Sequence, residues 1–371
     1  MAGERSSGEY ASGMRIGSFV GVPVYIGWTW LLLAAFITWS SGSTYTRIDP
    51  SLGTTAYVLG AIVAVGLLIS VLVHEAAHAL SARAFGLRVR RIVADLMGGH
   101  TAFEGKTTPW SQGITALSGP VANVLLAGLL YAVSLALGDG LAASVLGRLA
   151  FINVLLAVFN LLPGLPLDGG QVLMAAVWRL TGAPHTASVV AGWSGRVVAV
   201  LVVVVLVGWP LALGASPDLL LLVLALMVAG FLWAGASQSI AVGRARQRIR
   251  ATTLDQVMRP VALVPSDAPI SAWWAGDQQV YVTMDPRDGH PNGIVRADAV
   301  ASVPAEARPS VPATAVSVAA PAHWVYEFDG RPTLEHVLAV MAQGKKDVLL
   351  VVTDGQVQGI IFGADALRAV Q

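Results

Sequence analysis

The sequence predicts a mostly α-helical, polytopic membrane protein with a small α/β domain at its C-terminal end. Of its 371 residues, 55% are hydrophobic and only 12% are charged, whereas soluble domains carry about 25% charged residues. Long uncharged runs fill most of residues 17–240, and a more polar pattern follows residue 250.

Six stretches have the length of about 20 residues that crosses a hydrocarbon core about 30 Å thick. They are residues 17–40, 57–83, 113–137, 141–163, 187–209 and 217–239. Residues 1–14 are polar and show no cleavable signal pattern, so we expect the first stretch to be retained as a span.

Basic residues mark one side of the membrane. The links after the first, third and fifth spans contain only one Lys or Arg, Arg47. Basic residues are instead found before the first span, in the links after the second and fourth spans, and after the sixth span, where four arginines lie within 244–250. The positive-inside rule therefore predicts that both termini are cytoplasmic. Arg148 and Arg196 depart from the pattern, and we expect each to snorkel from an end of its span.

Residues 74–78 read HEAAH and lie at the end of the second predicted span. In a helix His74 and His78 are one turn apart, so both imidazoles reach one metal ion, and Glu75 lies within reach of a metal-bound water. Ionisable side chains cost about 2.5–3.5 kcal/mol each at the centre of a membrane helix and are usually functional there. The chain has no cysteine, so His and carboxylate must supply the ligands.

A catalytic zinc ion takes three protein ligands, so one more is needed. Asp168 lies in NLLPGLPLDGG (160–170), where prolines and glycines end the fourth span and let the carboxylate turn back toward the helices. From these residues alone, an ordinary loop aspartate is an equal alternative. His100 is a weaker candidate for the same role.

Three motifs occur in a fixed order: HEAAH, then SGP at 118–120 followed by Asn123, then LDGG after Asn160. Together they resemble the site-2 protease family of intramembrane zinc metalloproteases. Residues 21–30 (GVPVYIGWTW) resemble the first span of the bacterial subgroup that has a cytoplasmic CBS-domain pair. The resemblance implies a multi-pass protein of the bacterial inner membrane.

The resemblance further implies that one Zn²⁺ per chain is bound by His74, His78 and Asp168, with Glu75 as the general base. Asn123 is an amide within an apolar span, and we expect it to stabilise the oxyanion of the reaction. An interhelical hydrogen bond is the alternative for this residue.

Residues 96–103 (LMGGHTAF) predict one strand of a small re-entrant β-hairpin, because the glycines permit close backbone approach and Thr101 and Phe103 favour an extended chain. An edge strand pairs with an extended substrate by strand addition. The predicted substrate-binding residues are Gly98, Gly99, His100, Thr101 and Asn160.

A basic linker at 241–252 is expected to lead into a tandem CBS-like domain at 253–371, after a cytoplasmic segment at 1–16 and a membrane domain at 17–240. Residues 291–300 (PNGIVRADAV) echo 358–367 (QGIIFGADAL), which indicates a repeat. CBS pairs imply a homodimer and, in some cases, an adenine nucleotide. Asp298 and Asp365 are the candidate nucleotide ligands, and capping of the following helices is their alternative role.

The predicted function is therefore intramembrane zinc endopeptidase activity on a single-span protein, and the family resemblance implies a regulatory substrate such as an anti-sigma factor. The alternatives are a zinc-binding receptor or transporter, or an inactive scaffold regulated by the tail. Transporters typically show repeats among their spans, and residues 1–240 show no convincing one; Glu75, which an inactive relative would most readily lose, is present. No nucleic-acid partner is expected.

Overall fold

The computed structural model describes residues 13–95, 98–276 and 279–370. The chain divides into two compact units, Met1–Arg244 and Ala245–Gln371. The elements of the first unit are β1 (Gly13–Phe19), β2 (Val22–Gly27), α1 (Thr29–Ile48), α2 (Thr55–Ala84), β3 (Arg88–Asp95), β4 (Gly98–Glu104), α3 (Pro109–Leu137), α4 (Leu141–Asn160), α5 (Asp168–Thr181), α6 (Pro184–Val203), α7 (Trp209–Ala212) and α8 (Leu219–Ala251).

Five helical segments in the described residues are long and apolar enough to cross a membrane. They are α2, α3, α4, the continuous segment Pro184–Ala212 formed by α6, a π-helical turn and α7, and α8. Helix α1 is not among them, because residues 40–47 (SSGSTYTR) make its second half polar. The structure thus supports an integral membrane protein with five candidate spans, and α1 as a sixth span stays a prediction.

The first predicted span, residues 17–40, is wrong in the secondary structure of its first part, because residues 17–27 belong to β1, β2 and the turn between them. Val20 and Gly21 have positive φ angles of 48° and 79° and make the turn between β1 and β2. In β2, Val22 and Val24 are buried and their neighbours less so, which is the period of a strand. Hydropathy alone does not distinguish a short apolar strand from the start of a helix.

A four-stranded sheet in the order β1-β2-β3-β4 lies beside α2. Strands β3 and β4 form the predicted hairpin, with Ile92 opposite Thr101 and Asp95 opposite Gly98. Strand β4 is at one edge of the sheet. The predicted residues Leu96 and Met97 lie outside the described residues.

Small and polar residues allow the membrane helices to pack closely against one another. A Cβ on Gly66 of α2 would stand 2.6 Å from the Leu149 side chain of α4. The Asn153 amide donates to Ser70 Oγ at 2.9 Å, so α2 and α4 also share a buried hydrogen bond. Such small contacts and interhelical hydrogen bonds are the usual means of association between helices in lipid.

Helix α5 was not predicted. It begins at Asp168, after the proline- and glycine-containing loop, and ends at Gly182, whose φ of +69° is a left-handed C-cap. Its buried residues are Gly169, Gly170 and Ala175. At 14 residues it is too short to span a membrane.

The second unit repeats one order of elements. Its elements are α9 (Leu254–Val257), β5 (Val261–Pro265), β6 (Val280–Met284), β7 (Pro291–Val295), α10 (Ala297–Ala301), β8 (Ser317–Ala319), β9 (Val325–Phe328), α11 (Leu334–Gly344), β10 (Val348–Thr353), β11 (Gln356–Phe362) and α12 (Gly363–Val370). In each half the first strand is parallel to the second and the second antiparallel to the third: β5-β6-β7 and β9-β10-β11. This agrees with the CBS-like α/β organisation predicted for the tail. Residues 241–251, predicted to be a linker, continue α8 as a helix.

The two aspartates singled out in the tail are both paired with arginine. Asp365 accepts hydrogen bonds from Arg259 Nε at 2.7 Å and Nη2 at 2.9 Å, and a further one from Arg368. The hydrogen bond from Arg259 lowers the pKa of the Asp365 carboxyl below its usual range. Asp298 is exposed and paired with Arg296. A ribose would have to displace these partners from either carboxylate.

We therefore predict that Asp365→Asn destabilises the tail at neutral pH by about 1 kcal/mol, a value that allows for the solvent exposure of Arg259. Because the pKa of Asp365 is lowered on folding, its stabilising effect is present above the unfolded pKa and is lost as the pH falls through the folded pKa. Hydrogen exchange of the β11 amides in the full-length protein should show this loss of stability at pH 7 and a smaller loss under acidic conditions. Asp298→Asn is the control. An equally large loss of stability in that variant would contradict a specific role for the ion pair between Asp365 and Arg259.

Candidate metal centre and active site

Three ligand atoms converge between α2 and the start of α5. Asp168 Oδ2 is 3.0 Å from His74 Nε2 and 3.3 Å from His78 Nε2, and the two Nε2 atoms are 3.0 Å apart. The two imidazole rings are nearly perpendicular, at 86°. Both histidines are buried, with 7% of their surface exposed.

The hydrogen bonds on the far side of each ring fix which nitrogen carries the proton. His74 Nδ1 is 3.2 Å from Asn123 Oδ1, and His78 Nδ1 is 2.7 Å from the carbonyl oxygen of Thr115. The Thr115 oxygen can only accept, and the Asn123 oxygen likewise, so each Nδ1 donates and each Nε2 of a neutral ring presents a lone pair. Asp168 Oδ2 is buried and has no hydrogen-bond donor.

Three electron-pair donors therefore face one another at hydrogen-bonding distance, which is unfavourable unless a cation lies between them. In a tetrahedral zinc site, ligand atoms at about 2.0–2.1 Å from the metal are about 3.3 Å apart. The observed separations of 3.0–3.3 Å fit this geometry. His74, His78 and Asp168 thus form a His-His-Asp metal site, and the third ligand predicted from the sequence is in place.

Gly119 lies directly beneath the ligand nitrogens. An added Cβ at this position would stand 2.6 Å from His74 Nε2 and would also overlap His78 Nε2. Only a residue without a side chain lets α3 approach α2 this closely. The SGP motif is thereby explained by the metal site: its glycine leaves the space in which the ligand atoms meet.

Close backbone packing fixes the loop that delivers Asp168. A Cβ on Gly235 of α8 would stand 2.7 Å from the Pro166 ring, and the Leu165 N–H donates to the carbonyl oxygen of Ala191 in α6 at 3.1 Å. A Cβ on Gly169 or Gly170 would overlap backbone atoms of residues 161–165. The two glycines of LDGG let α5 begin against the loop, so that its first residue points at the histidines.

Glu75 is buried beside the metal ligands, with 3% of its surface exposed. Thr101 of β4 donates a hydrogen bond from Oγ1 to Glu75 Oε2 at 2.8 Å. The predicted substrate-binding residue Thr101 thus contacts the predicted base. No sequence pattern indicated this pairing, because it joins residues 26 positions apart whose elements meet only in the folded chain.

A cavity of about 790 Å³ contains the metal ligands and Glu75. Strand β4 contributes Thr101 and Phe103 to its wall, and Asn123 and Asn160 also line it. The Nδ2 atom of Asn123 is buried and has no hydrogen-bond partner. The backbones of Gly98, Gly99 and His100 lie in β4, and the side chain of His100 is outside the described parts of the structure.

Two further residues that line the cavity were missed from the sequence. The Gln112 amide of α3 donates to Gln171 Oε1 of α5 at 2.7 Å, which ties the helix that carries Asp168 to the helix beneath the histidines. The two glutamines lie 59 residues apart and carry no local motif.

Comparison with known proteins identifies the class of enzyme. The profile of peptidase family M50 matches residues 62–144 and 137–205. The chain is 30% identical to "Putative zinc metalloprotease sll0528" of Synechocystis sp., over 96% of this chain and 95% of that one. It is also 30% identical to "Putative zinc metalloprotease Rip3" of Mycobacterium tuberculosis, over 96% of this chain and 92% of that one. The solved structure of the site-2 protease from Methanocaldococcus jannaschii aligns with a TM-score of 0.44 at 21% identity, over 62% of this chain and 95% of that one.

We predict that Gly119→Ala strongly reduces zinc binding, because its methyl group occupies the space where the ligand nitrogens meet. The matched control is Gly128→Ala, which lies on the same helix and whose added Cβ meets no atom within 4 Å. Inductively coupled plasma mass spectrometry of the two purified full-length variants measures their zinc content and so tests this prediction. Equal zinc content in both would show that α3 can move away and that the close approach is not required.

Proposed function

We propose a specific reaction for this chain, which belongs to the M50 site-2 protease family and is a zinc metalloprotease. In this proposal it is an intramembrane endopeptidase that cleaves a transmembrane or membrane-proximal segment of a single-span regulatory protein. One observation carries the proposal. His74, Glu75 and His78 lie on the candidate membrane span α2, Asp168 begins α5 beside them, and all four share a cavity with the edge strand of a sheet.

Each polar group at the centre has a distinct task in peptide hydrolysis. His74, His78 and Asp168 would hold the zinc ion, which when bound supplies a water of lowered pKa and polarises the scissile carbonyl. Glu75 accepts the proton of the attacking water and passes it to the leaving nitrogen. One zinc ion per chain is the stoichiometry that these three ligands support.

Asn123 serves two purposes in this proposal. Its Oδ1 accepts from His74 Nδ1 and so keeps the ring in the orientation that presents Nε2. Its Nδ2 is buried and without a partner, and the residue lines the cavity. A donor held in place by a second hydrogen bond is suited to stabilise the oxyanion, because it needs no reorganisation as charge develops. Asn160 lines the same cavity and is a second candidate donor.

The substrate is proposed to bind as an added strand along β4. A peptide bond within a helix is shielded from attack, so the substrate must be extended before cleavage. Strand β4 lies at the sheet edge, and its residue Thr101 contacts Glu75. Main-chain hydrogen bonds from such an edge bind extended peptides with little dependence on their sequence.

A receptor, a transporter or an inactive scaffold does not account for a chain that is a family member over almost its full length and retains Glu75. The CBS-like tail is proposed to mediate dimerisation or to regulate substrate access. The arginine pairs of Asp298 and Asp365 favour a structural role over nucleotide binding. The family resemblance supports a location in the bacterial inner membrane. With α1 as a sixth span, the charge distribution supports two cytoplasmic termini.

We predict that Glu75→Gln retains zinc and loses cleavage by at least about 100-fold, the smaller end of the range for a general base. The uncleaved substrate should stay bound to this variant, so cross-linking in cell membranes followed by mass spectrometry identifies it. That protein is then reconstituted in liposomes with the wild type, Glu75→Gln and Glu104→Gln.

Glu104 is the matched carboxylate at the exposed end of β4, paired with Arg90, so its variant should cleave normally. Wild-type rates for Glu75→Gln would overturn the assigned base. Capture of proteins that all lack a membrane span would overturn the proposed substrate class.

A separate prediction concerns Thr101. Thr101→Val removes the hydrogen bond to Glu75 but keeps the shape, so kcat should fall about 10-fold or more, in line with the value of a hydrogen bond to a charged group, while KM changes little. Thr101→Ser should restore most of the rate because it returns the hydroxyl. An equal loss in both variants would instead indicate that the strand itself had shifted.

A further inference from the structure

Arg196 is a charged residue within a helix that crosses the membrane. It lies twelve residues after the start of the segment Pro184–Ala212. The expectation that it snorkels from an end of its span stays a prediction. Charged side chains in membrane helices are rare and usually have a specific partner.

Two exposed tryptophans flank the Arg196 guanidinium. Its Cζ lies 4.7 Å from the ring centroid of Trp193 and 4.9 Å from that of Trp233. The tryptophans are 47% and 46% exposed, so they lie on the outer surface of the α6–α8 pair, the surface that faces lipid. Both indole faces attract the cation, but they do not neutralise it.

The hydrogen-bonding capacity of Arg196 is mostly unused. Its Nη2 donates to Ser237 Oγ at 3.0 Å, and Ser237 in turn donates to the carbonyl of Trp233. The Nε atom is buried and has no partner. No carboxylate among the described residues forms an ion pair with Arg196, and a guanidinium has five N–H donors in a planar fork.

The depth of this group follows from the apolar stretches of the two helices. Residues 197–213, directly after Arg196, and residues 219–236, directly before Ser237, contain no charged residue. At about 1.5 Å per residue they are about 26 and 27 Å long, close to the thickness of the hydrocarbon core of about 30 Å. Both stretches end at the same level, so Arg196 and Ser237 lie at a boundary between hydrocarbon and headgroups.

This is the end of α8 that leads to the basic residues. Arg244 follows Ser237 by seven residues, or about 10 Å along the helix. The phosphate groups of the lipids in that leaflet therefore lie within reach of the Arg196 side chain. Basic pockets between membrane helices at this depth are suited to lipid headgroups.

We propose that Arg196, with Trp193, Trp233 and Ser237, forms a binding site for the phosphate of an anionic glycerophospholipid on the lipid-facing side of α6 and α8. A phosphodiester accepts two parallel N–H bonds from the guanidinium fork, and the indole rings pack against the adjoining glycerol and acyl chain. An anionic lipid is favoured over a zwitterionic one, because no acidic residue in the described ranges forms an ion pair with the arginine and a headgroup ammonium would be repelled.

The experiment measures lipid binding to the full-length protein and does not depend on its protease activity. Protein stripped of lipid in mild detergent is titrated with phosphatidylglycerol or with phosphatidylcholine of the same acyl chains, and native mass spectrometry reports the bound fraction. The variants are Arg196→Gln, Arg196→Lys, Trp233→Leu and the control Arg148→Gln. Arg148 is the matched control, because it also lies in a candidate span and stacks on one ring, that of Tyr45 at 5.6 Å.

We expect phosphatidylglycerol to bind the wild type more tightly than phosphatidylcholine. Arg196→Gln should weaken its binding about tenfold or more, the effect of losing a charge-assisted bidentate pair. Arg196→Lys should weaken it less, Trp233→Leu should weaken it with the charge intact, and Arg148→Gln should leave it unchanged. Retained zinc in each variant shows that the membrane domain is folded.

Three results would overturn the proposal. They are equal affinity of Arg196→Gln and the wild type for phosphatidylglycerol, equal affinity of the wild type for both lipids, and displacement of the lipid by millimolar inorganic phosphate. The last result would assign the site to free phosphate rather than to a bilayer lipid.

Discussion

The structure depends on one electrostatic constraint: three electron-pair donors lie 3.0–3.3 Å apart inside a membrane protein. In a medium of low dielectric constant their mutual repulsion is poorly screened, so the arrangement is stable only around a cation. The same constraint explains the outer contacts. Asn123 and the Thr115 carbonyl each accept an Nδ1 proton, which leaves both Nε2 lone pairs directed at the metal.

Close backbone contact is the means by which the third ligand reaches this centre. Two of the three ligands come from one turn of α2, but Asp168 begins another helix far along the chain. Its loop is held between Gly235 of α8 and the Ala191 carbonyl of α6, while Gly169 and Gly170 let α5 lie against it. Glycine in a helix is destabilising because it loses more conformational entropy on folding than other residues do. Its presence at these contacts indicates that the Asp168 carboxylate must be held within a narrow range of positions.

The sequence predicted the parts of this centre that local spacing determines. The one-turn separation of His74 and His78 places both imidazoles on one side of a helix. The helix-breaking residues before Asp168 allow its carboxylate to turn back, but only the family resemblance favoured it as the third ligand over an ordinary loop aspartate. Hydropathy predicted the five candidate spans, but it began the first predicted span in residues that form part of β1 and all of β2. Helix α5, the hydrogen bond between Thr101 and Glu75, and the glutamine pair at 112 and 171 follow from tertiary packing, which no local pattern encodes.

The depth of the centre reconciles two requirements of peptide hydrolysis in a membrane. The loop before Asp168 contacts Gly235 and lies beside Gly195, and these residues adjoin Ser237 and Arg196 at the end of the apolar stretches. At that level water need not cross the hydrocarbon core to reach Glu75. A substrate that unwinds there exposes backbone N–H and C=O groups, each of which costs several kcal/mol when left unpaired in lipid. In the proposed mode of substrate binding, the edge of β4, next to Glu75, would supply partners for these groups. The strand that contacts the proposed base would then also stabilise the extended substrate, so that unwinding and cleavage would be favoured at one place.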